Sequence, residues 1–202
     1  NTVIEYYKEI NKGTIVVGKE LKTVLDGLIK DLNNPRYIFD EEPGNLRILF
    51  IEKFCKHTKS PFNGKPFILE LWEKAMLQVA YGFKMADTGL RRFTEVILLI
   101  ARKNGKTTFV AGIDLAEFFL SRGGVDIVCA SNTNDQASIL FEEINNMREQ
   151  SKALSKPHRS RKNIFYIYSP KTKNKIKKLS GQSRHLDGFN IEVGCIDEVH
   201  EM

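Results

Sequence analysis

Apolar residues in the first part of the chain recur at helical spacing. In GKELKTVLDGLIKDLNN, Leu21, Val24, Leu25, Leu28, Ile29 and Leu32 fall three and four apart, which predicts an amphipathic helix. Asn33-Asn34-Pro35 ends it. LRILFIEKFCKH predicts a second helix with Leu46, Leu49, Phe50 and Phe54 in phase, and LELWEKAMLQVAYGF a third, carrying the only tryptophan, Trp72. The Pro- and Gly-punctuated SPFNGKPFILE between them is a loop.

Past Met85 the pattern changes. RRFTEVILLI, VDIVCAS and FNIEVGCI are short continuous apolar runs, as expected of buried strands. Helical segments alternate with them. One runs from about Lys106 to Leu120 and is broken by SRGG; another runs from about Asn134 to Gln150 behind the capping residues of TNDQ. NIFYIYSPKTKNKIKKLSG predicts a β-hairpin turning near Ser169–Asn174. Strands alternating with helices imply an α/β fold with a mostly parallel sheet flanked by helices. The expected organisation is a helical appendage at 1–60 followed by an α/β domain at 61–202.

Composition adds two constraints. No apolar run approaches the roughly 18–20 residues that cross a bilayer, and the N-terminus has neither an apolar core nor a cleavage pattern. The expectation is therefore a chain with no membrane partner and no secretion signal; lacking an initiator Met, it is expected to be trimmed. Cys55, Cys129 and Cys195 are odd in number and far apart, with no CxxC pair, which predicts buried free thiols in a reducing compartment.

Charge is uneven. The formal net charge is +6, yet no acid lies between Glu149 and Asp187, an interval rich in Lys and Arg, so the rest of the chain is net acidic. A block this basic fits a polyanion surface or a solvated hairpin; the segment 161–178 is the candidate nucleic-acid surface.

The chemistry concentrates in ILLIARKNGKTTFVAG, Ile97–Gly112. An apolar run, a short loop and a helix start present unpaired N–H groups and the positive helix end at one spot, where phosphate binds. Gly105 allows close backbone approach, Lys106 can reach β- and γ-oxygens, and Thr107 offers a hydroxyl to Mg²⁺. The usual phosphate-loop pattern wants a glycine where this chain has Ile100, so the stretch alone leaves an ordinary strand–turn–helix open. The second element is IEVGCIDE, an apolar strand ending in Asp197 and Glu198. Ligands gather at the carboxyl ends of parallel strands. There Asp197 would hold Mg²⁺ through water and Glu198 would deprotonate an attacking water, while the bland reading is a strand cap. Together the two elements predict hydrolysis of a nucleotide bound with Mg²⁺, which the resemblance below implies to be ATP.

With ARKNGKT, CASNTNDQAS and CIDE in this order, the chain resembles the ATPase motor domain of the large terminase subunit of tailed bacteriophages, over roughly residues 60–202. That family's loop often replaces the first glycine and carries Arg-Lys-Asn-Gly-Lys-Ser/Thr, as at Arg102–Thr107. The resemblance implies a nucleotide-binding loop of Lys103, Asn104, Gly105, Lys106, Thr107 and Thr108, with Thr107 and Asp197 on Mg²⁺ and Glu198 and Lys106 catalytic. It also implies Arg102 as an arginine finger in cis; a salt bridge or plain solvation is the alternative. Arg184 in SRHLDG is a second candidate arginine, and Gln136 a candidate sensor or an ordinary helix-start residue. FILELWEKAM sits where the family contacts adenine. Trp72 is therefore a candidate base contact or a core residue, and Glu73 stands where the family usually has Gln; a carboxylate can accept from the adenine amine but cannot donate.

The function implied is ATP-driven packaging of double-stranded viral DNA into the procapsid. It would be performed in a homo-oligomeric ring at the portal protein, with the small terminase subunit, in the host cytoplasm. A helicase-like translocase and a non-hydrolysing nucleotide-binding assembly module are the alternatives. Family members continue into the rest of the motor and a nuclease domain, so the chain is expected to be incomplete at its C-terminus.

Overall fold

The computed structural model describes residues 1–155, 159–160, 166–180 and 190–196. Two compact units interleave along the chain: 1–49 with 68–99, and 50–67 with 100–202. The chain leaves the first unit partway along a helix, returns to it, and leaves again just before the phosphate loop.

In the first unit, α1 (Thr2–Lys12) is capped by Asn1, whose side chain accepts from the Ile4 N–H, and stops at Gly13, held at φ 79. It buries Val3, Tyr6 and Ile10. Helix α2 (Lys19–Asp31) buries Leu25 and Leu28 into the same core but leaves Leu21 and Val24 exposed. The short strand β1 (Tyr37–Phe39) precedes α3 (Glu42–Phe54). Helix α4 (Leu71–Gly82) leads into β2 (Phe83–Met85), which pairs antiparallel with β1. Gln78 of α4 joins three segments: its Oε1 accepts from the Thr2 N–H at 2.8 Å and its Nε2 donates to Asn45 Oδ1 at 2.7 Å. Gly44 allows α3 this close, because a Cβ there would lie 2.7 Å from Gln78 Cα.

Two apolar expectations are corrected in this part of the chain. On α3 the buried positions are Ile48, Phe50 and Ile51, whereas Leu46 and Leu49 are exposed. The helix is apolar on more than one side, and its packing partners select the face. The run expected as a buried strand before the phosphate loop forms no strand, and Ile97 and Leu99 are 94% and 95% exposed. An extended segment becomes a strand only when a neighbour takes its N–H and C=O groups, and among the described residues none does so for 95–100.

The second unit contains α5 (Lys106–Leu120), β3 (Asp126–Ser131), α6 (Asn134–Gln150), the single turn α7 (Lys152–Ser155), β4 (Arg159–Ser160), β5 (Tyr166–Tyr168), β6 (Lys175–Ser180) and β7 (Ile191–Ile196). The sheet order is β4-β5-β6-β3-β7. β3 is parallel to both β6 and β7, while β4, β5 and β6 form antiparallel pairs. α5 is apolar nearly all round and buries Phe109, Ala111, Leu115, Ala116 and Phe118. Full burial of a phenylalanine such as Phe109 or Phe118 stabilises the fold by about 1.5–3 kcal/mol.

The hairpin turn lies where expected, with the Ser169 N–H donating to Asn174 O. Buried Asn174 then ties three elements together. Its Nδ2 donates to Phe118 O and Ser121 Oγ at the end of α5, and its Oδ1 accepts from the Val125 N–H at the start of β3. Gly123 passes so close to this turn that a Cβ would meet Thr172 O at 2.8 Å. The strands of the hairpin are held in the sheet, whereas Pro170, Lys171 and Lys173 of its turn are exposed. β6 is hydrogen-bonded on both sides, Lys178 Nζ donates to Ser138 Oγ of α6, and Lys177 Nζ lies 3.7 Å from Asp126 Oδ1. Lys175, Lys177 and Lys178, part of the candidate nucleic-acid surface at 161–178, are half-buried sheet residues. The remainder of that segment up to 165 lies outside the described residues.

Candidate functional site

The end of α5 at Phe118 and Ser121 is held to the beginnings of β3 and β6, so α5 runs back along the parallel strands. Its N-terminus therefore points toward their carboxyl ends, the edge where ligands collect in such sheets. Gly105 caps the helix at φ 78 in the left-handed region, and Lys103 precedes it at φ 67. Successive turns of this kind aim N–H groups into one concavity. Asn104 Nδ2 donates to Ala101 O at 3.1 Å and closes the loop on itself.

The first turn of α5 carries no acid. Among the described residues the other helices longer than one turn all do: Glu5, Glu20, Glu42, Glu73 and Asp135. The positive end of α5 is thus left uncompensated by its own side chains, and Lys106 adds to it, an arrangement that suits phosphate. Residues 101–105 are exposed and Lys106, Thr107 and Thr108 half-buried. Arg102 is exposed, with no partner among the described residues. Thr108 is turned away from the loop, its Oγ1 donating to Glu143 Oε1 of α6 at 3.1 Å.

The loop fits a nucleotide phosphate chain: an N–H cradle, a lysine and an open approach, since a Cβ built at Gly105 meets nothing within 4 Å. Among the described residues no cluster of three or more His, Cys, Asp or Glu could hold a metal ion. A nucleotide-borne Mg²⁺ needs no such cluster, because phosphates and waters supply most of its ligands. Thr107, the residue expected to contribute one, lies half-buried in the first turn of α5. Asp197, Glu198 and Arg184 lie outside the described residues; β7 ends at Ile196, immediately before the acidic pair.

Behind the loop lies a constellation with little sequence signal. Cys129 of β3 and Cys195 of β7 are direct partners in the parallel register. Both thiols donate to the fully buried Asp114 of α5, Cys195 to Oδ1 at 3.0 Å and Cys129 to Oδ2 at 3.6 Å. Burial pushes the Asp114 carboxyl up to about 7, against the lowering effect of the two thiol bonds. Burial and the adjacent carboxyl raise both thiols well above their ordinary value. Both are free, as expected, but only Cys129 is buried; Cys195 is half-buried, which corrects that part of the expectation. The one hint in the sequence was an aspartate inside the apolar helix VAGIDLAEFFL.

Trp72 and Glu73 lie on α4, in the first unit, whereas the phosphate loop lies in the second. Trp72 packs against the first unit's core. Glu73 is buried and accepts from the Glu70 N–H at 2.8 Å, one half of a reciprocal capping box. Burial raises its carboxyl to about 7. Gln136 sits in the first turn of α6, its Oε1 accepting from Ser131 and Thr133 hydroxyls, so it joins the end of β3 to the helix start.

A mixed sheet with a capped, lysine-bearing helix start at its carboxyl edge defines a P-loop NTPase of the α/β class. The family model for the terminase large subunit, ATPase domain, matches residues 71–202, and the chain belongs to that family. It is 35% identical over 100 residues to the large subunit of terminase from Enterobacteria phage HK97, a match covering 48% of this chain and 19% of that protein. The crystal structure of the HK97 bacteriophage large terminase has a similar fold, with a TM-score of 0.65 at 24% identity over 76% of this chain and 30% of that one. The chain therefore spans a minor part of the length of the proteins it matches. No helix among the described residues is long and apolar enough to cross a membrane.

Proposed function

We propose that this chain is the ATP-hydrolysing motor segment of a phage large terminase, coupling ATP turnover to packaging of double-stranded DNA into the procapsid. The observation that carries the reading is the uncompensated N-terminus of α5, on the edge of the sheet toward which β7 runs before Asp197 and Glu198.

Lys103, Asn104 and Gly105 lend backbone N–H groups to the β-phosphate, and Lys106 neutralises the β- and γ-oxygens. Mg²⁺ when bound supplies charge neutralisation on the transferred phosphoryl group; Thr107 and Asp197 would hold it, Asp197 through water. Glu198 takes the proton of the attacking water, and Arg102 stabilises charge on the γ-phosphoryl group. Ring assembly at the portal, with the small terminase subunit and in the host cytoplasm, belongs to the same proposal. DNA contacts would fall mainly on phosphates and weaken with salt.

Titration of a fluorescent ATP analogue with Mg²⁺ against the protein and its Lys106→Ala variant tests the site. The variant is expected to bind at least about tenfold more weakly, the loss of a charge-assisted contact. Equal affinities would remove the loop from the nucleotide site.

A further inference from the structure

Glu143 lies on α6 far from the loop in sequence, is 2% exposed, and is used by nothing in the mechanism above. A buried carboxylate is costly unless its oxygens are satisfied, and here three residues from two other segments satisfy them. Thr58 Oγ1 lies 2.7 Å from both carboxylate oxygens, Thr108 Oγ1 donates to Oε1 at 3.1 Å, and Lys59 Nζ lies 3.7 Å from Oε2. Two turns further along α6, Gln150 Nε2 donates to Asn63 Oδ1. The 56–66 loop is thereby fastened along α6, and its attachment at Glu143 is shared with the first turn of α5.

We propose that Glu143 is a positioning residue for the phosphate loop, holding the first turn of α5 through Thr108 and bracing it against Thr58. The inference rests on the nucleotide reading of residues 102–108. Two neighbouring threonines begin α5, and Glu143 divides their work. It engages the Thr108 hydroxyl, whereas the Thr107 hydroxyl has no partner among the described residues and stays available to a Mg²⁺-bound phosphate. Thr108 therefore acts on the nucleotide through Glu143 and not by direct contact. Small displacements of a binding loop are costly, because its N–H groups must converge on one anion.

The test titrates the fluorescent ATP analogue with Mg²⁺ against the full-length protein, with folding checked by urea denaturation. Glu143→Ala is expected to weaken binding about tenfold, and Glu143→Gln, which keeps one acceptor oxygen, to restore it to within about threefold of wild type. Thr108→Val is expected to weaken binding about threefold in the wild-type background and to cost nothing further in Glu143→Ala. Additive losses would mean that Thr108 touches the nucleotide itself and would overturn the proposal. Wild-type affinity in a folded Glu143→Ala would overturn it too. Lys106→Ala separates the two readings: if it loses binding while Glu143→Ala does not, the site stands and the positioning role falls. If Lys106→Ala binds normally, the site falls and takes this inference with it. Should Glu143→Ala fail to fold, Thr58→Val decides, since Thr58 is outside the loop. About threefold weaker binding supports the bracing role, and unchanged binding overturns it.

Discussion

The thiol of Cys195 donates to Oδ1 of Asp114 at 3.0 Å, joining the strand that leads to the acidic pair to the helix that starts at the phosphate loop. Asp114 sits about two turns inside α5 and Cys195 just before Asp197. The contact therefore ties β7 to α5 through a carboxyl that burial raises to about 7.

That carboxyl sets a pH dependence. Its folded value, about 7, lies above the ordinary 3.8, so between these values the folded chain binds more protons than the unfolded one. Stability from this group is therefore greatest at low pH and falls as pH rises toward 7 and slightly beyond. Asp114→Asn removes the titration. Relative to wild type, the variant is expected to gain stability on going from pH 5 to pH 8 by roughly 1–3 kcal/mol. Urea denaturation at several pH values measures the difference, and parallel curves for the two proteins would refute the assignment. Glu73, raised to about 7 as well, titrates in both proteins and cancels in the comparison.

Gly44 should tolerate no side chain. A Cβ there would lie 2.7 Å from the Gln78 backbone, and both helices are fixed by the Gln78 hydrogen bonds. Gly44→Ala is expected to destabilise the first unit by about 1–3 kcal/mol through overpacking, despite alanine's better helix propensity. A stabilised variant in thermal denaturation would contradict the packing.

Glu198 separates turnover from binding. In the full-length protein, Glu198→Gln is expected to retain ATP binding while phosphate release falls by about 10²- to 10⁴-fold, the range of a general base. Undiminished phosphate release would favour a nucleotide-dependent assembly role over a motor.

The exposed run before the phosphate loop predicts self-association. Ile97 and Leu99 are almost fully exposed in an apolar stretch, a feature that marks a contact surface or an aggregation site. Replacing both with serine is expected to reduce light scattering of the isolated chain and to change its stability by no more than about 0.5 kcal/mol. Unaltered scattering would show that other surface drives association.

Most helices, the β3 strand, the β5–β6 turn and the phosphate loop were legible in the sequence, because each depends on residues within a few positions. Periodic apolar spacing, Gly105 before Lys106 and the SRGG break are local facts. Where an outcome depended on a distant partner, the sequence was silent or misleading. α3 offers Leu46 and Leu49 as well as Ile48 and Ile51, and only packing selects between them. The EVILLI run has strand character but no paired neighbour among the described residues, whereas the lysine-rich β6 is a strand because β3 and β5 hold it on both sides. Asp114 meets Cys195 across 81 positions, and Glu143 meets Thr58 across 85. Nothing in local composition marks those pairs. The sequence by itself determined the helix starts, among them the Gly105-Lys106 turn that opens α5. The tertiary structure alone decided which buried carboxyls support them, because desolvation makes a buried carboxyl depend on donors that only the folded chain brings within reach.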